Sequence, residues 1–313
     1  MAVVTDFDAL APAFRGGAIA IGNFDGVHKG HQALLAAARA EAVRNSGPAG
    51  VLVFEPHPRA FFRPEEPFFE LTPLATKVSL LEHEGMDLVA VLRFDAALAA
   101  LAPDAFIDRV VVDWLRARHV VIGYDFFFGK GRAGNPAMMQ RYGEMKGFGV
   151  TVIAPVAEAG EVFSSSAIRA KIAVGDVMAA AHDLGRWWTV TGTVTGGFKR
   201  GSALGFPTAN VRVPKGTTLA HGIYAVRVSV GGVRYDGAAY LGTRPTFDDG
   251  APVLEVFLLD FAGDLYGSQI EIAFIGHIRG DKRFDTAEAL VAQMEADCEV
   301  ARTMLKAAGD EVG

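Results

Sequence analysis

Read only for apolar and polar positions, the chain has two textures. In the first, short continuous apolar runs alternate with stretches of helical period. AIAIG (18–22), GVLVF (50–54), DLVAVLRF (87–94), HVVIGY (119–124) and VTVIAP (150–155) are runs of the kind buried on both faces of a parallel sheet. Between them, one helical pattern runs from His31 to Asn45 and stops at SGPAG, and another opens at Thr72 and Pro73. A third is entered through Pro103, and a fourth follows Asn135 and Pro136. This alternation predicts an α/β domain, a doubly wound parallel sheet with helices on both faces.

After Gly185 the helices stop. The runs WWTVTGTV, IYAVRVSV, VRYDGAAYLG, LEVFLLDF and QIEIAFI carry period-two stretches separated by Gly, Pro and Asp, and Gly231-Gly232 reads as a hairpin turn between two of them. The expectation is an all-β domain, a six-stranded antiparallel barrel closed by an amphipathic helix from about Thr286 to Lys306. The two domains are therefore placed at 1–185 and 186–313. There is no internal repeat and no low-complexity tract.

Composition narrows the function classes. The 313 residues are 50% apolar, and 30 Lys+Arg against 36 Asp+Glu leave a formal charge of −6. Coating nucleic acid calls for a basic excess, so no nucleic-acid partner is expected. The single cysteine, Cys298, can form no internal disulfide and reads as inert packing, in keeping with a reducing compartment. The N-terminal stretch lacks the pattern of a secretory signal, and no apolar run reaches the ~18 residues of a membrane span. A cytoplasmic, soluble protein with no membrane partner is expected.

The candidate chemistry begins at GNFDGVHKGHQALL (22–35). A glycine turn leading from a strand into a helix N-terminus offers unpaired N–H groups and partial positive charge to a phosphate. Gly22, Gly26 and Gly30 permit close approach, and His28 and His31, one helical turn apart, can donate to phosphate oxygens as charge develops in transfer. A zinc site is the second reading, although no further His/Cys set accompanies the pair. FEPHP (54–58) ends a strand with prolines that hold the backbone extended, as a pocket wall with His57 in it. In GYDFFFGKGRAGN (123–135), Phe126 and Phe128 are placed to face a flat ring, with Lys130 and Arg132 for phosphate. SSSAIR (164–169) reads as a serine-capped helix start with Arg169 over an anion.

Together these stretches resemble the HxGH nucleotidyltransferases, which implies a Rossmann-like first domain. In order and spacing they resemble the bacterial bifunctional riboflavin kinase/FMN adenylyltransferases, or FAD synthetases. GFPTAN (205–210) carries the kinase half of the resemblance, supported by RPTF (244–247), DLYG (264–267) and Asp297 in the closing helix. The resemblance spans Ala18 to about Lys306 and implies two steps: riboflavin to FMN with ATP and Mg²⁺, then FMN to FAD with release of pyrophosphate. Two other readings stay open, a single-activity nucleotidyltransferase fused to an unrelated β module and a flavin-binding protein without turnover.

By the resemblance, Gly22, Phe24, Gly26, His28, His31, Ser165, Ser166 and Arg169 bind ATP for adenylyl transfer, and Asp25, His57, Asp125, Phe126, Phe128 and Arg132 bind flavin. In the kinase half, Gly197, Lys199 and Gly201 cover ATP together with Gly192, and Glu255 is the base for the riboflavin hydroxyl. Thr208 and Asn210, two apart on an extended segment, project to one side and are the Mg²⁺ ligands. The implied substrates are riboflavin, FMN and ATP, handled by a monomer or weak homo-oligomer. Four positions depart from the family pattern: Ala167 lacks the frequent arginine, Ser202 stands for arginine, Tyr240 for asparagine and Phe257 for histidine.

Overall fold

In the computed structural model, which describes residues 1–195, 206–213, 216–243 and 252–309, the apolar runs of the first half are strands of one sheet. They are β1 (Ala2–Thr5), β2 (Ala18–Ile21), β3 (Ala49–Glu55), β4 (Leu88–Arg93), β5 (His119–Gly123) and β6 (Gly149–Ile153). All pairings are parallel, in the order β1-β4-β3-β2-β5-β6. The order reverses beside β2, where α/β sheets place ligands at the carboxyl edge.

The helices of this unit are α1 (Lys29–Arg44), α2 (Pro58–Phe62), α3 (Leu74–His83), α4 (Ala96–Ala99), α5 (Pro103–Phe106) and α6 (Pro136–Lys146). Beyond α5 the turns widen through Ile107–Trp114, and the Leu115 N–H reaches back five residues to the Val110 carbonyl. Strand alternation divides the core in two. Ala18, Ala20, Val51, Val53, Val89 and Val91 face one layer with residues of α1 and α3. Ile19, Ile21, Leu52, Phe54, Leu88 and Leu92 face the other, against Phe106, Val110 and Trp114. Full burial of both faces is why these strands read as continuous apolar runs.

The sequence pattern missed short elements here: β1, α2, α4 and the hairpin of β7 (Ala157–Glu158) and β8 (Glu161–Val162). Rather than prolonging an extended wall, Pro58 is the first residue of α2, where its missing N–H costs nothing.

The chain divides into two units, Met1–Ser165 and Ser166–Gly313. The division falls earlier than the expected 185/186 because α7 (Ser165–Ala173) and α8 (Val177–Leu184) lead into the barrel unit. Val177, Ala180, Ala181 and Leu184 of α8 are buried, and the helix packs on β9 (Trp188–Thr195) and β14 (Gln269–Arg279). The other barrel strands are β10 (Ala209–Arg212), β11 (Gly222–Val230), β12 (Val233–Thr243) and β13 (Pro252–Leu258). They close as β10-β13-β12-β11-β14-β9, with every pairing antiparallel.

The closing helix α9 (Ala287–Ala307) is capped by the Thr286 hydroxyl, which accepts from the Ala289 N–H. It is pinned by a fork in which Arg279 donates through Nε and Nη2 to Asp297 at 2.9 and 2.6 Å. Burial pushes the Cys298 thiol on this helix up, which agrees with inert packing. Among the described residues, no helix is long and apolar enough to cross a membrane.

Two outcomes are expected. A fragment 166–313 should unfold cooperatively at least about 5 °C above a fragment 186–313, which exposes the strand surface that α8 covers; equal melting temperatures would contradict the division. Burial lowers the pKa of His119, against the opposing pull of Glu41, from an ordinary 6.5. The neutral ring, 2.8 Å from the Thr151 hydroxyl, therefore favours the folded state fully above the unfolded value, and that contribution is lost as pH falls through the lowered one. Melting of the first unit should fall on acidification below about 6.5, and less steeply in His119→Asn.

Candidate active sites

The carboxyl end of β2 runs into a turn that only tight packing can hold. Gly26 has φ of 89°, but Phe24 and Val27 are also left-handed, at 50° and 40°. Such values cost roughly 1–3 kcal/mol each, most for a β-branched residue such as valine. Burial and hydrogen bonds supply the restraint: Phe24 and Val27 are fully buried in the layer with α1 and α3. The Gly26 N–H donates to Thr72 Oγ1 at 2.9 Å, and the Thr72 N–H donates to Asp25 Oδ1 at 3.1 Å. Ser165 Oγ donates to the Asp25 carbonyl at 2.7 Å.

The turn delivers His28 to the N-cap of α1, where its Nδ1 accepts the His31 N–H at 3.3 Å. With Nδ1 accepting, the proton of the neutral ring lies on Nε2. The His28 and His31 rings stack with centroids 3.7 Å apart at 21°, and Phe24 packs on His31 at 5.0 Å. Gly30 makes room for this: a Cβ there would lie 3.0 Å from His28 Nδ1 and 3.3 Å from the Phe163 carbonyl. His28 and His31 are thus brought together as expected, over the N–H groups of a helix start.

Several expected ligands have other work. Phe24 is a packing residue, Asp25 is 2% exposed and acts as a strut for Thr72, and the Ser165 hydroxyl is spent on the turn. Gly22 bonds through its N–H to the Leu52 carbonyl and lies under the Phe24 ring. Ser166 and Arg169 stand on the first turns of α7, in the second unit. His57 caps α2 by accepting the Arg59 N–H at 3.1 Å, and its ring packs on Phe68.

In the FFF run, Phe128 is a core residue, not a platform: it pairs with Gly134 in a bridge, packs on Phe106 and leaves no space for a Cβ on Gly134. Phe126 stacks on Phe128 from a half-buried position. The exposed ring is Phe127, with the Arg132 guanidinium 5.0 Å above it. Asp125 is exposed beside it. A second aromatic group went unnoticed in the sequence, Phe61, Phe62 and Phe94 in edge contacts beside the end of β3, with Phe62 exposed.

The second unit builds its site from strand register. Asn210 on β10 lies directly opposite Glu255 on β13, and Glu255 lies opposite Tyr240 on β12. Cross-strand partners share a face, and since Leu254 and Val256 point into the barrel, this row is on its outside. Thr208 Oγ1 donates to Glu255 Oε2 at 3.4 Å, and Asn210 Nδ2 donates to the Thr208 carbonyl at 3.5 Å. The expected Thr208, Asn210 and Glu255 therefore come together.

The departing residues fall beside this row. The Tyr240 ring lies along its own strand over Gly242, where any Cβ would meet it, and Phe257 packs edge-on against Phe206 at 5.1 Å. Gly192 sits within β9 where a Cβ would strike Val211, so it serves barrel packing and not a phosphate loop. Gly197, Lys199, Gly201, Ser202 and the RPTF segment lie outside the described residues. No group of three or more His, Cys, Asp or Glu suited to a metal occurs among the described residues.

The FAD synthetase family matches residues 11–167 and the riboflavin kinase family residues 184–305. The chain is 40% identical over 305 residues to a bifunctional riboflavin kinase/FMN adenylyltransferase of Pseudomonas fluorescens, covering 97% of this chain and 98% of that protein. It is 36% identical over 284 residues to the protein of the same name in Bacillus subtilis, covering 89% of each. A crystal structure described as a macrolide-efflux protein from Streptococcus pneumoniae superposes with a TM-score of 0.86 at 29% identity, over 96% of this chain and 98% of that one.

Gly30→Ala should leave the melting temperature nearly unchanged, because a helix-propensity gain of about 1 kcal/mol offsets crowding of similar size. The His28 and His31 ring resonances should nonetheless shift in NMR spectra; unmoved rings would show that Gly30 does not set the stack.

Proposed function

Because the chain belongs to the bifunctional riboflavin kinase/FMN adenylyltransferase family, and so makes FMN from riboflavin and FAD from FMN, we propose that the two reactions have separate sites, with the paired histidines of one and the base of the other on different units. FMN adenylylation is assigned to the turn and α1 of Met1–Ser165, and riboflavin phosphorylation to the outer face of the barrel. The observation that carries this reading is that each constellation is assembled within a single unit: His28 stacked on His31 in one, Asn210 in register with Glu255 in the other.

In the first reaction an FMN phosphate oxygen attacks the α-phosphorus of ATP, the new P–O bond forms, and the bond to pyrophosphate breaks. His28, with its Nε2 proton, and His31 donate to the phosphate oxygens as charge grows, and the α1 N–H groups add fixed positive dipoles. Gly22 and Gly26 permit the approach of ATP, while Phe24 and Asp25 act behind the turn. Ser166 and Arg169 are assigned to ATP phosphates by their hydroxyl and guanidinium chemistry. For flavin we assign His57, Asp125, Phe126 and Arg132, and add the exposed Phe127 and Phe62, whose faces suit an isoalloxazine ring.

In the second reaction Glu255 takes the proton of the riboflavin 5′-hydroxyl as its oxygen bonds to the γ-phosphorus and ADP departs. Thr208 and Asn210 fit Mg²⁺: a hydroxyl and an amide carbonyl are hard oxygen donors, too few to cage the ion without phosphates and water. Bound there, Mg²⁺ would neutralise phosphate charge. Gly197, Lys199 and Gly201 are assigned to ATP by resemblance alone. Neither constellation requires a second chain, so a monomer or weak homo-oligomer is proposed, in the cytoplasm where ATP is supplied.

Replacing His28 or His31 with Ala should cut FAD formation at least about 100-fold and spare FMN formation. Glu255→Gln should do the reverse, leaving supplied FMN fully adenylylated. Chromatography of flavins from each incubation separates the outcomes, and parallel loss of both products in any one variant would contradict the division.

A further inference from the structure

Two buried acceptors at the carboxyl edge of the first sheet have no work in the fold. Glu55 Oε2 and Asn23 Oδ1 are buried and receive no hydrogen bond among the described residues. A buried acceptor without a donor costs free energy, more when it is charged, so stability does not account for either. The reactions above use neither residue.

Their places in the fold indicate what would supply the donors. Glu55 is the last residue of β3, and Asn23 follows Gly22 just past the end of the neighbouring β2. The Gly22 N–H still reaches the Leu52 carbonyl at 3.1 Å, so the two segments run side by side there. Alternation along β3 turns Glu55 to the face of Val51 and Val53, in the layer of α1, whose start holds His28 and His31. Toward β4, on the other flank of β3, the Glu55 carbonyl accepts the Phe94 N–H at 2.9 Å. The Phe94 ring meets Phe61 and Phe62 at 5.4 and 5.6 Å. Glu55 thus stands between this aromatic group and the end of β2, from which the turn leads to the paired histidines.

FMN has its parts in the same order: a flat ring, a chain of hydroxyls and a phosphate. With the ring on the exposed Phe62 and the phosphate at the histidines, the chain crosses the strand ends where the two acceptors lie. Hydroxyls are donors, and one given to a carboxylate makes a short, charge-assisted bond.

We propose that Glu55, with Asn23, receives the ribityl hydroxyls of FMN in adenylyl transfer and selects a hydroxylated chain over a bare one. The proposal rests on the assignment of ring and phosphate made above. The ribose of ATP offers similar hydroxyls, but the strand order puts Glu55 beside the aromatic group, which favours the flavin.

The test compares FMN with a synthetic flavin phosphate whose linker is a plain pentyl chain, by kcat/KM for adenylylation in the full chain. Acceptors placed for hydroxyls should reject the bare chain by at least about 100-fold. In Glu55→Leu that ratio should fall below about 10, and Asn23→Leu should reduce it too. Glu55→Gln should be intermediate, because its amide keeps an acceptor. An unchanged ratio in either leucine variant overturns the proposal. So does a loss of discrimination seen only between ATP and its 2′- or 3′-deoxy forms, which would give the acceptors to ribose, or a defect that extra Mg²⁺ repairs, which would make Glu55 a metal ligand. Riboflavin phosphorylation is the internal control. Since no partner is lost, Glu55→Leu should melt no lower than the unaltered chain; a lower melting temperature or failure to fold would reveal a structural partner and overturn the proposal. His28→Ala, run alongside, separates the premises. FAD formation that survives it removes the site assignment and the proposal with it, whereas an inactive His28→Ala enzyme beside an unchanged ratio in Glu55→Leu removes the proposal alone.

Discussion

The first unit depends on one constraint, a turn in which residues other than glycine are held left-handed. Phe24 and Val27 adopt this path because leaving it would pull a phenyl ring and an isopropyl group from a filled core, a loss of about 3–5 kcal/mol for the ring alone. That outweighs the strain of about 1–3 kcal/mol at Phe24 itself. The strain therefore buys position: His28 lands at the cap of α1, and the imidazole of His31 is forced onto it with no freedom to drift.

Much of this was legible in the sequence. The apolar runs gave the order of strands and helices, because residues buried on both faces leave an unmistakable signature, and the β-branched alternation after Gly185 gave the barrel. His28, His31, Thr208, Asn210 and Glu255 were legible as chemistry placed at a helix start or along a strand. What the pattern did not carry was direction within a run of like residues. Three consecutive phenylalanines do not say that Phe128 turns inward against Gly134 while Phe127 turns out. Nor does a motif show which of its residues also brace the turn, as Asp25, Phe24 and Ser165 do through packing and hydrogen bonds. The compact units divide before the point where the texture of the sequence changes, since α8 has the composition of the preceding helices but packs its apolar face on the barrel strands.

The two sites are built by different means. On the first unit, a convergence of loop and helix start gathers donors whose aim depends on tertiary braces far away in sequence, such as Thr72. On the barrel, antiparallel register alone sets Asn210 beside Glu255, and the inward Leu254 and Val256 on either side keep the carboxylate facing out. A slip of one residue in β13 would bury the charge and expose two core side chains, so the hydrophobic pattern guards the chemistry.

The tyrosine at 240 closes off routes that a family asparagine leaves open. Its ring occupies the ground above Gly242, on the face that carries Glu255, so the two positions are coupled. A side chain at 242 would require the Tyr240 ring to turn away from its present place, and the ring can lie along the strand as it does only beside a glycine. A change at either position is thereby felt at the other, on the face where the carboxylate sits.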